Sequence, residues 1–339
     1  MKLKGALIGL GNIATRGHLP AFLQDEQLRE SVEIVAVMDV VDAQRDFIKQ
    51  SLPDARFYTD IDTLLEKEQL DFVDICTPPF THAHYIRVCE EKGLHIICEK
   101  PLTEKLQTSK EISEEIGHSK IVFVPCHQYK YSPLWIAIHD AINSGGLGRI
   151  TFAQFNVFRL QADTGTAAWN PQWRTDKTQS GGGILVDTGA HYFYLVQYLF
   201  GIPTSLSSVL RTLKHPEYSV EDTAVVMLDY EDKLVQINLT WAASQRANSI
   251  LVAGTQGSLS YDGTKLLKTT AAGTQEIPMP DISDKNQYIK WYASLFREFT
   301  RRVKEKNYSK DLMNEAVKVM ELLDLSYNST KKHSSLSVS

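Results

Sequence analysis

The sequence predicts an α/β protein with two domains, a doubly wound parallel sheet followed by an α+β domain whose sheet is mostly antiparallel. The 339 residues exceed the length that a single hydrophobic core usually organises. Short apolar runs alternate with amphipathic stretches as far as residue 126, and beyond residue 127 the rhythm changes towards period-two patterns. We therefore predict one domain over residues 1–126 and a second over residues 127–339.

Five runs in the first domain are apolar throughout, which is typical of parallel strands that are covered on both faces. These runs are residues 4–10, 32–39, 71–77, 95–100 and 120–126. Amphipathic stretches between them predict covering helices at residues 42–51, 60–68, 81–92 and 103–117. The alternating order is that of consecutive βαβ units, and hence of a parallel sheet.

The second domain begins with two predicted helices, at 133–144 and 184–200, and the latter is closed by Gly201 and Pro203. Period-two patterning then predicts two long strands within residues 221–241, joined by a turn at Glu231–Lys233, and a continuation of the sheet over 248–263. Helical patterns return at 286–306 and 311–328. The polar tail from Ser329 onwards is expected to be frayed.

The composition indicates a globular protein, with 43% hydrophobic and 23% charged residues and a net charge of −5. This charge and the absence of a Lys/Arg block argue against nucleic acid or a membrane surface as partners. No apolar stretch approaches the roughly 20 residues that span a bilayer, and the lysine-led N-terminus is interpreted as a first strand rather than a signal peptide. Four cysteines without CxxC spacing predict buried free thiols in a reducing cytosol, and thus a cytoplasmic protein: Cys76, Cys89, Cys98 and Cys126.

A glycine-rich turn follows the first strand and precedes a predicted helix. In this G-x-G-x-x-A element, Gly9 makes the tight turn, Gly11 admits a pyrophosphate to the main chain, and Ala14 permits close helix–strand packing. Asn12 and Ile13 belong to the same predicted cofactor-binding loop. Asp39 ends the second strand, where a carboxylate accepts both ribose hydroxyls and repels a 2′-phosphate. We therefore expect NAD, with NADP less favoured.

The third strand ends in Thr77, Pro78 and Pro79, and these residues predict a rigid loop that forms a wall against the cofactor. His82 follows on the next helix and is included among the candidate cofactor contacts. His82 and His84 are spaced so that they point away from each other on a helix, and no Cys or carboxylate completes a ligand set. No metal is expected.

Four motifs together resemble the glucose–fructose oxidoreductase/inositol dehydrogenase family, usually called Gfo/Idh/MocA. They are GLGNIA (9–14), TPPFTH (77–82), EKP (99–101) and SGGGILVDTGAH (180–191), and the segment beginning EDTAVV (221–226) and the turn at Gly254–Gly257 extend the similarity. The resemblance implies a Rossmann domain and a C-terminal domain with a large open sheet, with the active site between them. It also implies NAD(P)-dependent redox chemistry on a sugar, a polyol or a related compound.

The EKP motif lies at the carboxyl end of a strand, the edge at which open α/β sheets bind ligands. The resemblance implies that Lys100 orients the substrate and handles its proton, that Glu99 lies near the nicotinamide ribose, and that the following proline often has a cis peptide bond.

Asp187 and His191 are spaced i,i+4, so on an α-helix they share one face and the carboxylate can orient the imidazole. A neighbouring carboxylate raises the pKa of a histidine and selects its tautomer, as a general base requires. His191 is therefore the leading candidate base, with Lys100 sharing or relaying the proton. The resemblance places both Asp187 and His191 in the substrate site.

Three further residues are candidate substrate contacts: Gln128, Trp173 and Arg174. Aromatic and guanidinium groups can bind a sugar face or a carboxylate, whereas Trp173 can equally serve to fill the domain interface. The family frequently has an Asn and an Arg near residues 126–133, where this chain has CHQYKYSP, so the substrate stays open.

Three functions are compatible with these features. The first is an NAD-dependent dehydrogenase or reductase acting on a secondary hydroxyl or carbonyl group. The second is a redox-neutral lyase or glycosidase that uses tightly bound NAD for transient oxidation. The third, a sensor without catalytic activity, is disfavoured by the intact set of Lys100, Asp187 and His191. An exposed sheet face and the resemblance together predict a homodimer or homotetramer.

Overall fold

The computed structural model describes residues 2–167, 169–280 and 287–332. Its first sheet has six parallel strands in the order β3-β2-β1-β4-β5-β6. The strands are β1 (Leu3–Ile8), β2 (Val32–Met38), β3 (Arg56–Tyr58), β4 (Phe72–Ile75), β5 (His95–Cys98) and β6 (Phe123–Pro125). The predicted doubly wound sheet is confirmed, and the five predicted strands overlap β1, β2, β4, β5 and β6. The edge strand β3 was not predicted, because three residues beginning with an arginine form no recognisable apolar run.

Helices cover both faces of this sheet. They are α1 (Leu19–Gln24), α2 (Glu26–Ser31), α3 (Arg45–Ser51), α4 (Ile61–Lys67), α5 (Pro79–Glu90) and α6 (Leu106–Gly117). A π-helical turn, Ala14–His18, leads from the glycine loop into α1. Helix α5 begins two residues earlier than predicted, since a proline is well tolerated at the first helical position.

The second sheet has eight strands in the order β14-β13-β12-β11-β7-β10-β9-β8. They are β7 (Ile150–Phe158), β8 (Ser205–Arg211), β9 (Thr223–Asp229), β10 (Leu234–Thr240), β11 (Ala247–Gly254), β12 (Gly257–Tyr261), β13 (Lys265–Thr270) and β14 (Gly273–Pro278). Among the described strands of this sheet, β7 and β10 are the only pair that runs parallel. The predicted hairpin is formed by β9 and β10, and its turn places Glu231 at a φ of 68°. The mostly antiparallel sheet is thus confirmed.

The remaining helices are α7 (Pro133–Asn143), α8 (Lys177–Ser180), α9 (Ala190–Phe200), α10 (Tyr288–Lys304) and α11 (Asp311–Lys332). The prediction of one continuous α-helix over 184–200 is wrong, because Leu185–Gly189 forms a π-helical turn before α9. Helix α11 continues past Ser329 to Lys332, so the predicted frayed tail starts too early. The rest of that tail, 333–339, lies outside the described residues.

Packing brings α10 back onto the first sheet, although it lies late in the sequence. Tyr292, Phe296 and Phe299 are fully buried in the same core as residues of β1 and β4, and the rings of Phe22 and Phe296 stack with 4.3 Å between centroids. All four cysteines are buried free thiols, as predicted. Within the described ranges, no helix combines the length and apolar character that a bilayer crossing needs.

Candidate active site

A cleft of about 430 Å³ lies at the carboxyl edge of the first sheet and is closed on its other side by the second half of the chain. It collects nearly all of the residues predicted for cofactor and substrate. Those that line it are Gly9, Gly11, Asn12, Ile13, Asp39, Thr77, Pro78, Pro79, Glu99, Lys100, Gln128, Trp173, Arg174, Asp187 and His191. The carboxyl edge is where parallel sheets present their loops, which explains why residues so distant in sequence meet here.

The glycine loop forms one end of the cleft. Gly9 has a φ of 91° and its amide donates to the carbonyl of Met38 at 2.7 Å, so the loop turns in a conformation that favours glycine. A Cβ atom on Gly11 would meet nothing nearer than the Cys76 carbonyl at 3.9 Å. The space above Gly11 is therefore open to a ligand. Asn12 donates its side-chain amide to the Thr164 carbonyl at 3.1 Å, which joins the loop to the second half of the chain.

The carboxylate of Asp39 lies beside this loop. Its two oxygens accept backbone amides from Leu10 at 2.6 Å and from Val41 at 2.8 Å. A carboxylate offers about four acceptor positions, so two remain for a ribose diol. Arg45 is the first arginine that follows Asp39 in the sequence. Its guanidinium donates to Asp42 at 2.7 Å and lies 4.7 Å from the centroid of the Phe57 ring, so it is already engaged by these two residues. The open glycine loop and the acceptor at Asp39 fit a dinucleotide cofactor.

His82 is not part of the cleft wall, and its predicted contact with the cofactor is corrected. The ring is fully buried, with Nε2 2.7 Å from the Thr77 carbonyl and Nδ1 3.1 Å from the Pro101 carbonyl. Burial, the largest effect, lowers the pKa of His82 despite these acceptors. The histidine ties the wall-forming loop at 77–79 to the loop that follows Lys100.

Glu99 belongs to a buried network that sequence reasoning missed. His18 has Nδ1 2.8 Å from Asp74 Oδ2 and Nε2 3.0 Å from Glu99 Oε1, and Tyr292 donates its hydroxyl to the same Glu99 oxygen. Burial, the largest single effect, lowers the pKa of His18, but the combined effect of the two carboxylates is greater and raises the pKa to about 9. The carboxylate of Glu99 is therefore oriented by His18 beneath the cleft, while its other oxygen accepts the Lys100 amide at 3.1 Å.

Two overlapping groups of potential metal ligands share His18: one adds Asp74 and Cys76, and the other adds Glu99 and Cys126. Both ring nitrogens of His18 already contact carboxylates, and the ring, Asp74 and both thiols are buried. These contacts account for the cluster as an ion-paired network. The expectation that no metal is bound stays a prediction.

Lys100 connects the two halves of the cleft. The Lys100–Pro101 peptide bond is cis, as the resemblance implied. The ammonium Nζ donates to the backbone carbonyl of Asp187 at 2.7 Å. A residue at the edge of the first sheet is thereby held against the segment that carries Asp187 and His191.

The predicted contact between Asp187 and His191 is wrong. The π-helical turn Leu185–Gly189 changes the angular spacing between these residues, so the i,i+4 geometry of an α-helix does not apply. The carboxylate of Asp187 instead accepts Arg174 Nε at 3.1 Å, and the guanidinium of Arg174 also lies 4.3 Å from the Trp173 ring. Asp187 thus holds Lys100 through its carbonyl and Arg174 through its carboxylate.

His191 is held by tyrosines rather than by a carboxylate. Its Nδ1 lies 2.8 Å from the Tyr194 hydroxyl, and its ring stacks on Tyr129 with 4.3 Å between centroids. Burial and the charge of Lys100 lower the pKa of His191 well below its ordinary value, which reverses the predicted direction. The imidazole is therefore neutral at pH 7, and Nε2 has no hydrogen-bond partner among the described residues.

The substrate candidates all reach the cleft, and one carries an unsatisfied acceptor. Gln128 is buried, and its Oε1 has no hydrogen-bond partner within the described ranges. A substrate hydroxyl could supply the missing donor. Tyr129, Tyr288, Arg159 and Arg246 also line the cleft but were not among the predicted site residues. Arg159 directly follows a strand, which is a positional signal that could have identified it.

Comparisons with known proteins agree with this architecture. Residues 3–125 match a family model described as an oxidoreductase family with an NAD-binding Rossmann fold, and residues 135–260 match the GFO/IDH/MocA C-terminal domain. An uncharacterized oxidoreductase of Schizosaccharomyces pombe is 28% identical over 68% of this chain and 61% of its own length. The D-apiose dehydrogenase of Paraburkholderia graminis is 26% identical over 76% of this chain and 67% of its own length.

A solved structure of levoglucosan dehydrogenase in complex with NADH and levoglucosan superposes with a TM-score of 0.85. The two sequences are 20% identical, and the superposition covers 98% of each chain. This similarity shows that the two proteins share a fold. The chain spans only about three fifths of the length of the Schizosaccharomyces pombe relative. None of these three proteins is described as a lyase or a glycosidase.

Proposed function

Because the chain belongs to the Gfo/Idh/MocA family of oxidoreductases, we propose that it is an NAD-dependent dehydrogenase acting on a secondary hydroxyl or carbonyl group of a sugar, polyol or related compound. The observation that carries this proposal is the contact of Lys100 with the Asp187 carbonyl at 2.7 Å. It holds an ammonium group inside a cleft that also contains the glycine loop, Asp39 and His191. The sugar dehydrogenases among the relatives support this substrate class.

The cofactor half of the cleft is proposed to bind NAD rather than NADP. When bound, NAD would accept the hydride during oxidation of the substrate, and NADH would donate it during reduction. Gly9 and Gly11 leave the main chain accessible to the pyrophosphate, and Asp39 accepts the ribose hydroxyls. A 2′-phosphate would face the Asp39 carboxylate, and Arg45 is paired with Asp42.

Dissociation constants for NAD and NADP test this choice. We expect NAD to bind more tightly than NADP. Asp39→Ala should reduce this difference in affinity, because it removes the repulsion between the carboxylate and the 2′-phosphate of NADP. Asp54→Ala is the matched control, since it removes an exposed carboxylate that lies outside the cleft lining, and it should leave the ratio unchanged. Equal or tighter binding of NADP by the wild-type protein would contradict the proposal.

Lys100 and His191 are proposed to handle the substrate proton. A hydroxyl that loses hydride from its carbon must also lose a proton, and a neutral imidazole can accept it. Tyr194 occupies Nδ1, so acceptance at Nε2 requires Nδ1–H to donate to the tyrosine oxygen. The ammonium of Lys100 polarises the substrate oxygen, and Asp187 positions Lys100 and Arg174.

The accumulation of NADH separates net dehydrogenation from the redox-neutral alternative. We expect a panel of inositols, sugars and sugar derivatives with NAD to include compounds that yield NADH in stoichiometric amounts. Product formation without NADH would favour the lyase or glycosidase. Lys100→Met is the negative control, because it keeps the apolar stem and removes the ammonium.

A homo-oligomer, either a dimer or a tetramer, is also proposed. The outer face of the second sheet exposes Val209, Val225 and Leu251, and the described residues place no helix over that face. Val209 and Val225 are directly paired across β8 and β9 and form one apolar patch, and Leu251 lies beyond the polar side chains of β10 and β7 on the same face. Light scattering at micromolar concentration tests this, and a monomeric mass would contradict it. A cytoplasmic location stays a prediction from the cysteines.

A further inference from the structure

Arg159 occupies the wall of the cleft that faces the proposed substrate. It directly follows β7, and its backbone is fixed on both sides by an amide donated to Thr240 at 2.8 Å and a carbonyl that accepts Ala243 N at 3.0 Å. The side chain lines the same cleft as Lys100 and His191. The position of the guanidinium is therefore set by the sheet rather than by a mobile loop.

The hydrogen bonds of Arg159 leave part of the guanidinium unused. Nη1 donates to the carbonyls of Phe158 at 2.7 Å and Ala247 at 3.2 Å, and Nη2 donates to Asn248 Oδ1 at 2.9 Å. A guanidinium has five N–H donors, so Nε–H and one Nη2–H have no partner in ranges 2–167, 169–280 and 287–332. All three acceptors are neutral, and no carboxylate in those ranges forms an ion pair with Arg159.

A second arginine lines the cleft near Arg159. Arg246 precedes β11 and lines the same cleft. Burial and, next, the charge of Arg246 lower the pKa of Arg159, so the two guanidinium groups are close enough to repel one another. Arg174 differs from Arg159, because it forms an ion pair with the carboxylate of Asp187.

We propose that Arg159 binds a carboxylate of the substrate, so that the substrate is a sugar acid, such as a uronate or an aldonate, rather than a neutral sugar. The inference rests on the proposed dehydrogenase function and narrows its substrate class. Two unused donors on one planar group match the two oxygens of a carboxylate in a bidentate pair. The alternative is that Arg159 only fastens β7 to β11 through Ala247 and Asn248.

Steady-state kinetics with NAD test the proposal. The panel pairs each hexuronate or aldonate with its parent hexose, alditol and methyl ester, and includes hexose phosphates. We expect the acid of the preferred pair to exceed its neutral partners in kcat/KM by at least tenfold. Arg159→Gln should lower kcat/KM for that acid by about 10²-fold, the scale of a lost charge-assisted pair, and change the neutral compounds less than threefold.

The matched control is Arg149→Gln, which removes an exposed arginine immediately before the same strand β7 and should change neither value. If Arg159→Gln does not fold, Arg159→Lys keeps the positive charge and removes the planar fork. For this variant we expect a loss of at least tenfold for the acid alone. The melting temperature and the NAD dissociation constant of each variant report any structural damage.

Calorimetric titration of NADH-saturated protein with the same compounds separates this inference from the proposed function. Arg159-dependent binding of acids without NADH formation from any compound supports the carboxylate site and contradicts the dehydrogenase. Turnover of neutral sugars without measurable binding of acids contradicts the carboxylate site and supports the dehydrogenase. Equal losses for acids and neutral compounds in Arg159→Gln, or a preference for hexose phosphates, would also overturn the carboxylate assignment.

Discussion

Replacing His18 by Phe removes the only cation from the buried network of Asp74, Glu99 and Tyr292 in the described structure. The centroid of the His18 ring lies 4.1 Å from that of Tyr292 and 5.2 Å from that of Phe296. Phenylalanine places an aromatic ring at the same position and so keeps this packing. Both imidazole nitrogens are lost, so the carboxylates at Nδ1 and Nε2 lose their charged partner. The change therefore tests the ion pairs rather than the packing.

The expected cost follows from the burial of the two carboxylates. Asp74 is 0% exposed and Glu99 6% exposed, so neither gains appreciable hydration when the imidazolium is removed. Breaking a buried pair in this way costs roughly 3–5 kcal/mol. For a chain of 339 residues that corresponds to a fall in melting temperature of roughly 4–7 °C.

Calorimetric melting at pH 7 measures this fall, with His139→Phe as the control. His139 also stacks on an aromatic ring, Tyr198 at 4.2 Å, but its partner Asp140 is exposed, and surface pairs contribute about 0–1 kcal/mol. A melting temperature for His18→Phe equal to that of the control would show that the imidazolium does not hold the carboxylates. The second variant Asp74→Asn, added to His18→Phe, should restore part of the loss.

The pH dependence gives an independent check of the same network. The pKa of His18 is about 9 in the folded chain, against about 6.5 when unfolded. The stabilisation is complete below pH 6.5 and is lost as pH rises towards 9, by about 3 kcal/mol. The difference in stability between the wild type and His18→Phe should shrink over that range, and a constant difference would refute a charged His18.

Two further variants probe the proton-handling groups. Lys100→Met should lower kcat by about 10²-fold with little change in melting temperature or NAD affinity, since only the ammonium is removed; a collapse of folding or NAD binding would indicate a structural role instead. Tyr194→Phe should lower kcat by about tenfold and alter its pH profile while NAD affinity is kept, because the hydroxyl that sets the tautomer of His191 is lost; an unchanged kcat and pH profile would contradict that role.

The parallel sheet could be predicted because its signals are local. Apolar runs such as 71–77 and 95–100 identify strands buried on both faces without any tertiary information. The glycine loop and Asp39 could be predicted for the same reason, since each follows directly from the end of one strand. The edge strand β3 carries no such run, and only its pairing with β2 reveals it.

The errors at Asp187 and His191 have a different origin. The i,i+4 argument assumed a regular α-helix, and one π-helical turn removed the expected face. The tyrosines that replace the carboxylate around His191 come from residue 129, after β6, and from residue 194 on α9. His18 was missed because its two partners lie 56 and 81 residues away. Sequence spacing identifies the participants in such a site better than it identifies their pairing.

The charges around the cleft divide between the two halves of the chain. From the glycine loop to Pro101, the described lining contains a single cation, Lys100, and it includes the carboxylate of Asp39, which we propose repels a 2′-phosphate. The second half supplies Arg159, Arg174 and Arg246. If both proposals hold, selection between cofactors depends on the first half of the chain and selection for substrate charge on the second half. Arg159→Gln should consequently change the preference for acids without changing the ratio of NAD to NADP affinity, and a shift in both would mean that the two selections are coupled across Lys100.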